Sequence, residues 1–249
     1  MLRSVVQFIM TLMLVVVCAH ALNMSEGDIP ILAFMIPVVW IIPQSGPAGI
    51  LLLASICLYG FTLPYQPVAL SISTWILIPV LMVAFCSKSN RFVRILLALC
   101  VLAMESGIML TQVNGKLEGS AGATLIQLIA VAMIWYSTMN WKLPTKHQHS
   151  WWSLLFIFPL WLAGWWEAAL LAIGVTGIMA ATESLKEIKS FKWHRLLYWS
   201  LPTVGFSAFM MLPNAEVPSQ VLAAWLFLLG TAWATEYLLY SEPLDEDNY

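Results

Sequence analysis

Two glutamates set inside long apolar runs are the side chains of this chain best placed to do chemistry. Glu105 lies in Met104-Glu105-Ser106-Gly107, and Glu236 follows Thr231 and Thr235. A carboxylate embedded in hydrocarbon binds a cation, carries a proton or pairs with a cationic substrate, and rarely sits there without a function. Gln127, in the next apolar run, falls at about the same depth as Glu105, about 7 Å inside the run. The two side chains are therefore expected to share a hydrogen bond, with small Ser106 and Gly107 letting the helices approach. That bond has two readings, as the polar centre of a solute pathway or as a tie between two helices. Thr231 and Thr235, four residues apart, share a helix face leading to Glu236. Glu236 is expected either to form a gate or second proton site, or to pair with a loop lysine.

Pro37, Pro79, Pro159 and Pro202 lie well inside apolar runs. Each removes an N–H donor and frees a carbonyl for a neighbouring side chain or water, so all four are candidate helix breaks. The other chemistry-bearing residues point away from catalysis. His20, His147, His149 and His194 offer no arrangement of haem ligands. Cys18, Cys57, Cys86 and Cys100 form no Cys-x-x-Cys pair and read as small buried hydrophobes rather than metal ligands. There is no His-Glu-x-x-His, Gly-x-Ser-x-Gly or Gly-x-x-x-x-Gly-Lys sequence. No catalytic residue, cofactor or metal is assigned, and the chain is not expected to be an enzyme.

These side chains need a scaffold, and composition dictates its kind. The chain is 61% hydrophobic and 10% charged, with a mean hydropathy of +0.84. Soluble domains carry about 25% charged residues, so there is too little here for a solvated surface. A net charge of −2 and a pI near 6.1 exclude the clustered positive charge that nucleic acid requires. The sequence reads as an all-α polytopic membrane protein with about ten spans: 5–22, 29–42, 48–63, 72–85, 92–110, 121–141, 151–166, 168–181, 196–212 and 221–240. Three of them, 29–42, 72–85 and 168–181, fall short of the about 20 residues that cross about 30 Å.

The positive-inside rule tests this threading. With the N-terminus cytoplasmic beside Arg3, ten of the 11 Lys and Arg residues fall at cytoplasmic positions and only Lys116 falls outside. Glu26, Asp28, Glu118 and Glu216 fill the outer loops, and interfacial tryptophans such as Trp40, Trp165 and Trp166 sit near span ends. The location expected is the inner (plasma) membrane, with both termini cytoplasmic. The 31-residue run Trp151–Ala181 would reach about 46 Å as one helix. It is therefore expected to be a hairpin, with its outer turn at Gly164–Glu167 and Glu167 as a surface residue. Arg3, the apolar stretch Val5–Val17 and Ala19-His20-Ala21 also imitate a cleavable signal peptide, and cleavage leaves the later threading unchanged.

Residues 1–240 read as one membrane domain, and 241–249 as an acidic cytoplasmic tail. Pro37 and Pro79 are 42 residues apart, and Pro159 and Pro202 are 43 apart. Glu105 and Glu236 occupy the fifth and tenth runs. Together these suggest a five-plus-five repeat with halves 1–115 and 116–240, inverted because five is odd. In architecture alone such a plan resembles small transporters of the drug/metabolite type, with no motif of that group visible. Lys186, Lys189, Lys192 and Arg195 lie in the segment Thr182–Arg195, which reads either as an ordinary positive-inside connecting loop or as a short surface helix in contact with anionic lipid.

The leading functional expectation is a small transporter or permease component, coupled to protons or cations through an embedded glutamate. A non-catalytic membrane scaffold is the alternative, and an intramembrane lipid-modifying enzyme the third reading. A transporter built on Glu105 requires a polar cavity that reaches it. A scaffold requires Glu105 sealed by packing, with an apolar groove at its rim.

Overall fold

Each of the ten apolar runs falls on a helical element in the computed structural model, which describes residues 2–41, 46–140, 151–186, 188 and 192–241. The helices are α1 (Leu2–Met24), α2 (Ile31–Ile41), α3 (Pro47–Thr62), α4 (Val68–Ser73), α5 (Leu77–Ala84), α6 (Arg91–Val113), α7 (Ala121–Asn140), α8 (Ile157–Leu162), α9 (Trp166–Lys186), α10 (Trp193–Met210) and α11 (Ser219–Ser241). Short 3₁₀ turns at Leu63–Tyr65, Thr74–Ile76 and Trp151–Phe156 extend α3, join α4 to α5 and lead into α8. No strand occurs among the described residues.

Six of these helices are long and apolar enough to cross a membrane: α1, α3 with its 3₁₀ extension, α6, α7, α9 and α11. The runs at Ile31–Ile41, Val68–Ala84 and Trp152–Leu162 are shorter. The expected ten spans thus become ten helical stretches, six of which have the dimensions of a span.

The distribution of polarity is inverted relative to a soluble protein. Leu2, Ile9, Met13, Phe92, Leu99, Leu102 and Leu110 are exposed, while Thr11, Ser55, Gln66, Ser71, Thr124, Gln127 and Ser137 are buried. Such a surface is stable only against hydrocarbon. In the most apolar 18-residue stretch of each helix, 17% of α6 is buried inside the protein against 44% of α9. That difference puts α6 at the periphery and α9 at the centre.

Contacts fix the helix directions. Along α1 and α9, Ser184 bonds Gln7 at 3.3 Å, Gly177 faces Leu14 and Gly174 faces Cys18, an antiparallel register. Parallel to α1 runs α10, where Trp193 meets Phe8 and Gly205 meets Val15. Antiparallel to α10 runs α11, where Arg195 pairs with Glu236 and Phe206 stacks on Trp225 at 4.5 Å. Lys88 lies over the Tyr240 ring at 4.8 Å. One end of the bundle, the basic end, therefore gathers Arg3, Lys88, Lys186 and Arg195, while Lys116, Glu118 and Glu167 lie at the other. This is the alternation that the charge pattern demanded. The closest approach, α1 on α9, depends on two glycines. A Cβ on Gly174 would collide with the Cys18 sulfur, and one on Gly177 would lie 2.7 Å from Leu14 Cδ1.

The run Trp151–Ala181 does fold back on itself at Gly164, whose φ of +81° suits glycine. Gly164 N–H donates to Trp161 O and Trp165 N–H to Leu160 O, both at 3.0 Å, closing the end of α8 as a Schellman motif. Glu167 then occupies the first turn of α9, where the helix dipole favours an acid.

Two expectations need correction. Thr182–Arg195 is not one surface helix, because α9 continues to Lys186 and α10 already begins at Trp193. Lys186 and Arg195 are tied to other helices, Lys192 is exposed, and Lys189 lies outside the described residues. The prolines also do not behave as the matched pairs that spacing suggested. Pro37 and Pro202 sit within uninterrupted helices. Pro79 and Pro159 are each the third residue of a short helix preceded by a 3₁₀ turn, where the missing donor to the residue four back loosens the ladder. The acidic tail after Ser241, Lys142, Lys146, His147 and His149 also lie outside the described residues.

Candidate functional site

A cavity of about 260 Å³ runs through the centre of the bundle. Its walls come from α1, α3, the α4–α5 run, α7, α9 and α10, with Phe34 of α2 contributing an edge. Along α9 it extends from Leu171 to Lys186, a rise of about 22 Å. Most of the wall is aliphatic or aromatic carbon, from residues such as Val15, Leu52, Ile56, Ile78, Ile134, Leu171, Val175 and Met179.

Polar groups concentrate at the two ends. At the basic end lie Thr138, Thr182, Glu183, Lys186 and Tyr198. Lys186 donates a hydrogen bond to the Thr138 carbonyl, tying the last turn of α9 to α7. Glu183 precedes Lys186 by one turn on the same helix face, acts on it electrostatically, and is only 6% exposed. The site thus has an acid and a base side by side, with no net charge.

Towards the far end Tyr59, Leu63 and Trp75 line the cavity. Trp75 Nε1 donates to the Tyr59 hydroxyl at 2.8 Å, and that hydroxyl donates to the Ser71 carbonyl at 2.6 Å. Behind them stands a buried polar network. Gln66 Nε2 donates to Gln127 Oε1 at 2.8 Å, and Gln127 Nε2 donates to Ser71 Oγ at 3.0 Å. The Thr124 hydroxyl lies 2.8 Å from both Gln66 Oε1 and Gln112 Oε1 and donates to one at a time. Four separate elements are pinned together there: the start of α4, the turn before it, the end of α6 and the start of α7.

Within each helix the lining residues recur at the helical period, and between helices they also pair at a common offset. Leu52, Ile56, Tyr59 and Leu63 line the cavity, and so do Val175, Met179, Thr182 and Lys186, each 123 residues later. Trp75 and Ile78 correspond in the same way to Tyr198 and Leu201. Pro79 and Pro202 share this interval. On α1 and α7, Val15 and Ala19 correspond to Ile134 and Thr138 at an interval of 119. Helix packing follows the same correspondence, since α1 packs on α9 as α3 packs on α7.

The chain matches no family model, no curated protein and no solved structure.

The residues singled out from sequence are distributed differently. Gln127 is fully buried, but among the described residues its side-chain partners are Gln66 and Ser71, not Glu105. Glu105 is 6% exposed, has no hydrogen-bond partner among the described residues, and does not line the cavity. Gln112, two turns later on the same face of α6, enters the network in its place. A mostly apolar groove between α6 and α11 is bounded by Met104, Gly107, Gln220, Ala223 and Phe227, and Glu105 does not line it. Glu236 pairs with Arg195 rather than with a loop lysine. Thr231 caps its own helix carbonyl at Phe227, 2.7 Å away, and Thr235 is half-buried beside Glu236. Of the four prolines only Pro202 borders the cavity.

Sequence reasoning missed Glu183, and read Lys186 as a lipid contact, because the eighth run was ended at Ala181, where apolarity stops; Tyr198, inside the ninth run, gave no signal of its own. A signal was present. Glu183 and Lys186 are spaced as neighbours on a helix, so the pattern of α9 continues past its last apolar residue.

Proposed function

We propose that this protein is a small membrane transporter of inverted-repeat type, with the central cavity as its solute site. The observation that carries this reading is the pairing of six lining residues of α3, its 3₁₀ extension and the α4–α5 run with six of α9 and α10 at an interval of 123 residues, and of two on α1 with two on α7 at 119. Two halves of five helical stretches each, inverted in the membrane, place equivalent residues on opposite walls of a shared site at the midplane. Leu63 and Trp75 at one end then correspond to Lys186 and Tyr198 at the other. The hydrogen-bonded cluster around Gln66 and Gln127 is the closed gate, and the Glu183–Lys186 cluster occupies the matching gate position. Rocking one set of helices against the other exchanges which end is sealed. The basic end faces the cytoplasm of the inner membrane, as the positive-inside rule requires. On this reading the polar centre of the pathway is the Glu183–Lys186 pair, and Glu105 stands outside it.

Cys18 lines the cavity and supplies a native reporter. In a variant with Cys57, Cys86 and Cys100 replaced by serine, a membrane-impermeant maleimide should reach Cys18 from either face of sealed vesicles. Access from neither face contradicts a transport pathway.

One observation favours the scaffold alternative. Glu105 is sealed, and a mostly apolar groove runs along the same stretch of α6 against α11, which is what a subunit docking another membrane helix there would have. Stable co-purification of a second membrane protein, lost in Gly107→Leu, would support that reading.

A further inference from the structure

We propose that the solute of the central cavity is a single-chain amphiphile with a zwitterionic head. This inference rests on reading the cavity as the solute site and names the class of molecule that fits it.

The head is selected by the basic end. Glu183 and Lys186 stand one turn apart on one face of α9, and Thr138 and Tyr198 complete that end. An anionic head would meet Lys186 but also the Glu183 carboxylate, and a cationic head would meet the reverse conflict. A head carrying both charges answers both, with its anion on the Lys186 ammonium and its cation on the Glu183 carboxylate. The Lys186 ammonium now spends a bond on the Thr138 carbonyl, a neutral acceptor that a phosphate or carboxylate outcompetes. Between walls this apolar, such complementarity separates solutes strongly, because an uncompensated charge must be desolvated without return.

The tail is selected by the remaining wall. From Thr182 to Leu171 the α9 side of the cavity rises about 16 Å with carbon on all sides. That is close to half of the about 30 Å hydrocarbon core, the depth one lipid chain occupies in its leaflet. At about 260 Å³ spread over this length the cavity is slender, suited to one chain and not to a two-chain lipid. Tyr59 and Trp75 also line the slot, and their polar atoms bond each other and the Ser71 carbonyl rather than the cavity.

The test uses the full chain in lipid nanodiscs with radiolabelled palmitoyl lysophosphatidylethanolamine, and empty nanodiscs to subtract partitioning. Competitors are palmitate, hexadecyltrimethylammonium and phenylalanine, which in turn lack the cation, the anion and the chain. The expected result is saturable binding that none of the three displaces at equal concentration. Glu183→Gln and Lys186→Met should each weaken binding about tenfold. The exchanged pair Glu183→Lys with Lys186→Glu should recover part of that loss, which distinguishes recognition from misfolding. Equal competition by any of the three molecules, or wild-type binding by both single variants, overturns the proposal. Flux of the same probe in proteoliposomes separates it from the transport reading. Binding without flux contradicts the transporter and leaves the solute class standing. Flux of phenylalanine with no binding of the lysolipid contradicts the solute class and leaves the transporter standing.

Discussion

Replacing Gln127 by leucine should open the far end of the cavity. Gln127 is fully buried and spends both ends of its amide on other elements, accepting from Gln66 Nε2 at 2.8 Å and donating to Ser71 Oγ at 3.0 Å. Leucine preserves the apolar bulk and removes both bonds. Hydrogen bonds between membrane helices contribute about 0.6 kcal/mol each on average, so the closed end loses about 1.2 kcal/mol. At 1.4 kcal/mol per tenfold, the population shifts about sevenfold towards the state open at that end. Ser71→Ala removes one of the two bonds and should shift it about threefold. The assay is the rate at which an impermeant maleimide modifies Cys18 from the face opposite the basic end, with the other three cysteines replaced by serine. Rates should rise in the order wild type, Ser71→Ala, Gln127→Leu, while modification from the basic face slows. Unchanged rates, or equal acceleration from both faces, would refute the assignment of this network as a gate.

Glu105→Gln should leave flux unaltered at every pH and should not lower thermal stability, since the carboxylate has no hydrogen-bond partner among the described residues and the amide is cheaper to bury; loss of flux in this variant restores Glu105 to the pathway. Gly174→Val forces a side chain into Cys18 and should cost about 1–3 kcal/mol in unfolding experiments in nanodiscs. Gly230→Val, where nothing lies within 4 Å, is its near-neutral control, and equal stability of the two variants would contradict the close α1–α9 contact. Cysteines at Asn114 and Lys88 should label from opposite faces of the membrane; same-side labelling contradicts the alternation of helix directions.

Much of the architecture is legible in the sequence because membrane insertion depends on few variables. Apolar run length locates the helical stretches among the described residues, six of them long enough to cross a membrane, and the reversal at Gly164 that splits Trp151–Ala181. The site is less legible for a physical reason. Glu105 draws attention as an acid flanked by apolar residues, yet whether it meets a cavity depends on which face of α6 turns inward and on what packs there. Gln66, Ser71 and Gln112 fall in or beside turns and short helices, where polar residues are ordinary in a sequence. Only folding brings them to Gln127. Lys186 shows the opposite failure: as one lysine in a basic connection it reads as a surface charge, and the extra turn and a half of α9 carries it into the cavity wall. The proline separations of 42 and 43 residues suggested a repeat, but the local structure at the prolines does not match between the halves; what supports the proposed repeat is the pairing of part of the cavity lining at 123 residues.

The central claim is that one cavity serves both faces of the membrane in alternation. Its most direct test is the modification of Cys18 by an impermeant maleimide, in otherwise cysteine-free protein, added separately to right-side-out and inside-out vesicles. The account predicts modification from both faces, with the two rates moving in opposite directions when Gln127→Leu weakens the far gate. Modification from one face only, or rates that rise and fall together, would contradict it.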